Sequence, residues 1–71
     1  MLGNVKLKLR KLPETNEYQV AWYEDGKYNE DKTYYTDDLE DAILTSKAIS
    51  EEALEHGYPE VEVVMYPRGG R

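Results

Sequence analysis

One histidine (His56), two serines (Ser46 and Ser50), seven tyrosines and fifteen carboxylates make up the reactive side chains of this chain, which has no cysteine. Nucleophilic catalysis needs a hydroxyl or thiol held against a base. No serine, threonine or tyrosine here stands in a motif that supplies one. Ser46 and Ser50 fall on the apolar side of a helical pattern. His56 falls at its end, where a cation suits the negative pole of the helix. Two-carboxylate chemistry requires one acid of raised pKa in a cleft, and a thin sheet with one helix offers little concavity. There is no glycine-rich phosphate loop. Asp37-Asp38-Leu39-Glu40-Asp41 is dense in carboxylate but lacks the spacing of a calcium loop, with its central glycine and closing glutamate. The expectation is a protein that is not an enzyme, with no catalytic residue, no metal and no cofactor.

The distribution of charge says more. Every acid lies between Glu14 and Glu62, and the cations of that span are Lys27, Lys32 and Lys47; fifteen carboxylates against three lysines leave a formal charge of −12. The opening segment runs the other way, with Lys6, Lys8, Arg10 and Lys11 and no acid before Glu14. A surface of one sign selects partners of the other. The whole chain, at −6, is poorly suited to wholesale phosphate binding, so nucleic acid is a disfavoured partner.

These side chains need elements to hold them. At 71 residues the chain reads as one domain near the size where a single core is only just sufficient. The expected boundaries are a domain over 1–66 and a flexible C-terminal tail over 67–71. Absence of cysteine fits a reducing compartment, and neither a signal-peptide core nor a membrane-length apolar run is visible. The expectation is a cytoplasmic protein that makes no membrane contact.

Val5, Leu7 and Leu9 alternate with Lys6, Lys8 and Arg10, a half-buried strand by period. Tyr18, Val20 and Trp22 alternate with Gln19, Ala21 and Tyr23 in a second. Asp25-Gly26 between the second and third predicts a tight hairpin. The third strand, about Tyr28 to Thr36, has a polar interior suited to a sheet edge. Asp37 or Asp38 caps a helix whose apolar stripe is Leu39, Ala42, Ile43, Ser46, Ile49, Ser50, Ala53 and Leu54. Gly57 and Pro59 stop it, and Val61, Val63 and Met65 form a last strand. The fold class expected is α+β: a β-β-β-α-β domain with a four-stranded mixed sheet. Order 3-2-1-4 is favoured, with strand four beside strand three as the alternative. One helix covers one face and the other face stays open.

Two surfaces follow. Glu40, Asp41, Leu44, Glu51, Glu52 and Glu55 point away from the core, so an apolar anchor stands among acids, with Asp25, Glu30, Asp31, Asp37 and Asp38 extending the patch. Such a face fits a protein partner with a basic surface, or serves solubility alone. The open sheet face carries Lys6, Lys8, Arg10, Tyr23, Tyr66 and either Tyr34 or Tyr35. Basic residues interleaved with tyrosine suit a stacking platform for single-stranded nucleic acid, a homodimer interface or a solvated face.

Ala21 to Tyr28, then Lys32 to Ala42, resembles the three-strands-and-helix pattern of arm-type DNA-binding domains of phage-type integrases. Those domains read DNA with a basic sheet, whereas this region is acidic, so the resemblance implies architecture. Arg68-Gly69-Gly70 resembles the carboxyl terminus of ubiquitin-like proteins, with three strands before the helix in place of two and Arg71 beyond the glycines. The function expected is a small acidic interaction domain, of the kind phages and mobile elements encode as regulators or inhibitors, that engages a basic protein through its helix face. A nucleic-acid-binding open face and a homodimer of the open face or an edge strand are the alternatives.

Overall fold

A computed structural model describes residues 3–65. Tyr66 and the tail expected over 67–71 lie outside the described residues. The element order is β1 (Val5–Leu12), β2 (Glu17–Glu24), β3 (Lys27–Thr36), α1 (Leu39–Glu55) and β4 (Val61–Met65). The strands form one sheet in the order β3-β2-β1-β4. β1 is antiparallel to β2, β2 is antiparallel to β3, and β4 runs parallel to β1 from Val5↔Val61 to Leu9↔Met65. The chain is thus an α+β fold of the favoured topology.

Local chemistry explains each junction. Glu24 pairs with Lys27 across a two-residue loop in which Asp25 and Gly26 both have positive φ, 53° and 85°, the hairpin geometry that follows the sheet's twist. Asp25 also braces the start of the sheet: its carboxylate accepts from the Asn4 N–H at 3.1 Å, and its own N–H donates to the Asn4 carbonyl at 2.9 Å. Asp38 is the helix cap, its Oδ1 accepting from the Glu40 N–H at 2.9 Å. At the other end Gly57, at φ 103°, donates to the Leu54 carbonyl and Tyr58 to that of Ala53, which is the Schellman closure.

The core lies between α1 and the sheet. Val5, Leu7, Leu9, Val20 and Trp22 come from the strands, Ala42 and Ala53 from the helix, and Tyr18, Tyr34, Ile43, Ile49, Tyr58, Val61 and Val63 pack around them. Ser46 is fully buried at the helix–sheet contact and returns its hydroxyl to the Ile43 carbonyl at 2.7 Å. The line of closest approach therefore follows Ala42, Ser46 and Ala53, small residues that bring the helix down onto the sheet. The expected stripe is too wide as a result. Leu39 and Leu54, at opposite ends of α1, remain 45% and 51% exposed on the flank that positions 39, 43, 47, 50 and 54 define by helical spacing.

β3 departs from a regular strand. Val20 pairs with Tyr34 and Trp22 with Asn29, so residues 30–33 stand opposite Ala21 alone. The break in the ladder is closed by a side chain. Thr33 Oγ1 accepts the Trp22 N–H at 3.3 Å and donates to the Asn29 carbonyl at 2.8 Å. Such bulges blunt a sheet edge. This one also turns Glu30 to the open face and Lys32 to the helix face, as their contacts show.

Candidate functional site

The expected acidic face divides in two. Glu40, Leu44, Glu51 and Glu55 are exposed and share the outward side of α1 by helical spacing, with Leu44 59% exposed among them. Asp41 and Glu52, eleven residues apart and therefore on one flank of α1, leave that stripe toward β3. Asp41 Oδ2 accepts from the Tyr34 hydroxyl at 2.6 Å and Oδ1 from the Thr45 hydroxyl at 3.5 Å. The Tyr34 hydrogen bond, followed by those of Thr36 and Thr45, holds the Asp41 carboxyl below its ordinary value, and the same bond raises the Tyr34 phenol. Asp41 is therefore a structural acid that ties the first helical turn to β3.

Glu52 borders a second feature, a cleft of about 480 Å³ between the end of α1 and the sheet, lined also by Trp22, Lys32, Ile49, Ala53, His56 and Tyr58. Trp22 and Tyr58 meet edge to face at 5.5 Å, and Lys32 Nζ stands 4.7 Å from the indole centroid, a cation–π contact that covers the ring. Trp22 Nε1 is buried with no acceptor among the described residues. His56 Nδ1 donates to the Glu52 carbonyl at 2.8 Å. The one histidine and the buried serine are thus both committed to helix carbonyls, and neither meets the other.

Of the acids expected to extend the helix patch, Asp31 and Asp37 are exposed and three serve other ends. Asp25 braces β1 and Asp38 caps α1, while Glu30 crosses to the opposite side of the sheet. There it accepts from the hydroxyls of Tyr28 and Tyr35. These phenols accept in turn from Gln19 Nε2, each at 3.2 Å, and Gln19 Oε1 accepts from Arg10 Nε at 2.8 Å. A continuous chain of hydrogen bonds thus joins the Arg10 cation to the Glu30 anion across three strands. Gln19 is buried beneath it, although it lies on the open face. The Glu30 hydrogen bond, then that of Tyr35, pushes the Tyr28 phenol up to about 12.

The remaining open-face cations are answered as well. Lys8 Nζ lies 4.4 Å from the Tyr23 centroid, and Lys6 Nζ stands 3.8 Å from Glu62. Tyr35 takes the open-face position beside Gln19, and Tyr34 turns toward the helix beside Val20. Tyr66, also expected on this face, is outside the described residues. Lys6, Lys8, Arg10 and Tyr23 do share one surface, but Glu30 and Glu62 share it with them. The bulge delivers Glu30 there, and no period in the third strand announces it.

Among the described residues no group of three or more His, Cys, Asp or Glu is placed to hold a metal ion. No helix among them is long and apolar enough to cross a membrane. No protein-family model, curated protein or solved structure matches the chain.

Proposed function

We propose that this protein is a non-enzymatic interaction domain whose outward helix stripe, Glu40, Leu44, Glu51 and Glu55, engages a basic surface on a protein partner. The observation that carries the reading is the unequal use of charge. Among the described residues the one ion pair is Lys6–Glu62, so none of the stripe's carboxylates is ion-paired, and Lys47, one turn before Glu51, is the one cation of α1. The basic residues of the sheet face, by contrast, spend their charge on Glu62, on Gln19 and on the Tyr23 ring. An uncompensated field acts at a distance and speeds the approach of an opposite charge. Leu44 supplies the apolar centre such contacts need. A small regulator or inhibitor that occupies the basic groove of a nucleic-acid-binding protein in place of phosphate is the role that fits, and a cytoplasmic setting suits it.

The test is capture from host lysate by the tagged protein at low and moderate salt, with a nuclease-treated duplicate. A basic protein retained at low salt, resistant to nuclease and lost from a Glu40→Gln, Glu51→Gln, Glu55→Gln triple variant supports the reading. Equal capture by the triple variant would overturn it. Retention that disappears with nuclease would transfer the function to the sheet face of Lys6, Lys8 and Arg10, whose affinity would then fall with salt as counterions are released.

A further inference from the structure

The two edges of the sheet are built differently. β3 is guarded by its bulge and by Glu30, Asp31 and Lys32, the devices that keep an edge strand from pairing with strangers. β4 reads Val-Glu-Val-Val-Met. Its single charge, Glu62, sits on the open face beside Lys6. Nothing among the described residues pairs with its outer side. The exposed apolar residues Leu39, Leu54 and Met65 gather along this border: Met65 is on β4, and the two leucines are on the flank of α1 opposite the Asp41 and Glu52 flank that faces β3.

The backbone sets which groups of β4 an added strand would meet. The Glu60 carbonyl accepts the Val5 N–H at 2.9 Å. Alternation along a strand then directs the peptide groups of 60, 62 and 64 to β1 and those of Val61, Val63 and Met65 outward. We infer that β4 pairs with β4 of a second copy of this chain, antiparallel about a twofold axis through the sheet at Val63. In that register Val63 faces Val63, Val61 faces Met65 and Glu62 faces Val64. Every outward N–H and C=O of the strand gains a partner, and neither glutamate meets its own image. A register centred on Glu62 would pair the outward groups as well but set two carboxylates directly opposite each other. The same axis keeps both helices on one face of a continuous eight-stranded sheet, with the flanks bearing Leu39 and Leu54 turned toward each other. The interface is isologous, as most closed dimers are.

Charge gives the test its sign. Each copy carries −6, so added salt screens the repulsion and tightens the dimer, whereas capture of a basic partner by the helix stripe weakens with salt. Sedimentation equilibrium of the full chain across a concentration series, at low and high salt, reads this directly. The expected result is a monomer–dimer equilibrium that shifts to dimer as salt rises. Val63→Pro removes an outward N–H that β1 does not use, a position an edge strand tolerates, and should weaken dimerisation at least ~10-fold, the equivalent of about 1.4 kcal/mol, with the far-ultraviolet dichroism retained. Leu54→Glu changes an exposed side chain and gives the same loss if the proline variant fails to fold. Leu44→Glu, on the outward stripe, should leave dimerisation within about twofold. A monomer at all concentrations overturns the inference, as does a dimer that neither Val63→Pro nor Leu54→Glu disturbs.

Discussion

The Tyr34 hydroxyl donates to Asp41 Oδ2 at 2.6 Å, and this bond fixes where the helix begins relative to the sheet. Tyr34 sits on the helix side of β3, seven residues before the carboxylate it meets in the first helical turn. The bond spans the connection from strand to helix and turns an acid expected on the binding face into a strut.

Acid stability should report on this strut. The folded-state pKa of Asp41 lies below its ordinary 3.8. Its contribution is thus fully present above that value and is lost as pH falls through the lowered folded one. Urea unfolding measured down the acid side should show that loss in the native chain. In Asp41→Asn the acid limb should be flatter and the midpoint at neutral pH lower. Tyr34→Phe should behave the same way, since the hydrogen bond is the main cause of the shift.

The alkaline side has the opposite sign. Tyr28 is raised from 10.0 to about 12 by Glu30, and Tyr34 is raised by Asp41. A raised group contributes fully below its unfolded pKa, and the contribution is lost as pH climbs through the folded one. Ultraviolet titration of the folded protein should therefore find Tyr28 and Tyr34 ionising late. Glu30→Gln should bring Tyr28 back toward 10.0 and leave Tyr34 where it was.

Ser46 marks how near α1 comes to the strands. It is fully buried, and a larger side chain there must push the helix away. Ser46→Leu should cost roughly 1–3 kcal/mol of unfolding free energy by overpacking, read from urea midpoints with an unchanged slope. Leu44→Ala, at an exposed position of the same helix, should stay within about 0.5 kcal/mol.

The first hairpin offers a backbone test. Gly26 has φ +85° with nothing near its missing Cβ, so conformation alone decides the outcome. Gly26→Ala should lower stability by about 1–2 kcal/mol, seen as a lower thermal midpoint. Gly26→Asn, which tolerates the left-handed region better, should lose less.

Much of this architecture is legible in the sequence because period-2 alternation is a strong signal when one face is buried. Val5-Leu7-Leu9 and Tyr18-Val20-Trp22 declare their faces outright. Asp25-Gly26 and Gly57 mark their junctions through positive φ. Parity then makes β4 parallel to β1 once three antiparallel strands and one helix are counted. The bulge in β3 is not legible, since Asn29, Glu30, Asp31, Lys32 and Thr33 have no apolar period to break. Thr33 fills the gap in the ladder only because Trp22 already stands opposite. Asp41 and Glu52 read as outward residues for a related reason. Hydropathy separates wet positions from dry ones but cannot tell the solvent side of a helix from a flank where a tyrosine hydroxyl waits. Leu39 and Leu54 read as core because a leucine on the apolar side is indistinguishable from one beside it, until the small residues between them set how deep the helix sits.

The parallel pairing of β1 with β4 has a consequence for how the molecule is made. Val5 opposes Val61, so β1, made before the other three strands, is the last inner strand to gain both neighbours. Until residues 61–65 emerge, the hairpins and the helix can form, but β1 stands as an open edge with Leu7 and Leu9 half covered. The contact that completes the sheet has the greatest sequence separation of its strand pairings, and such contacts form late. A nascent chain stalled before Val61 would therefore present a bare apolar strand to its neighbours, and release of the last strand is what closes the fold.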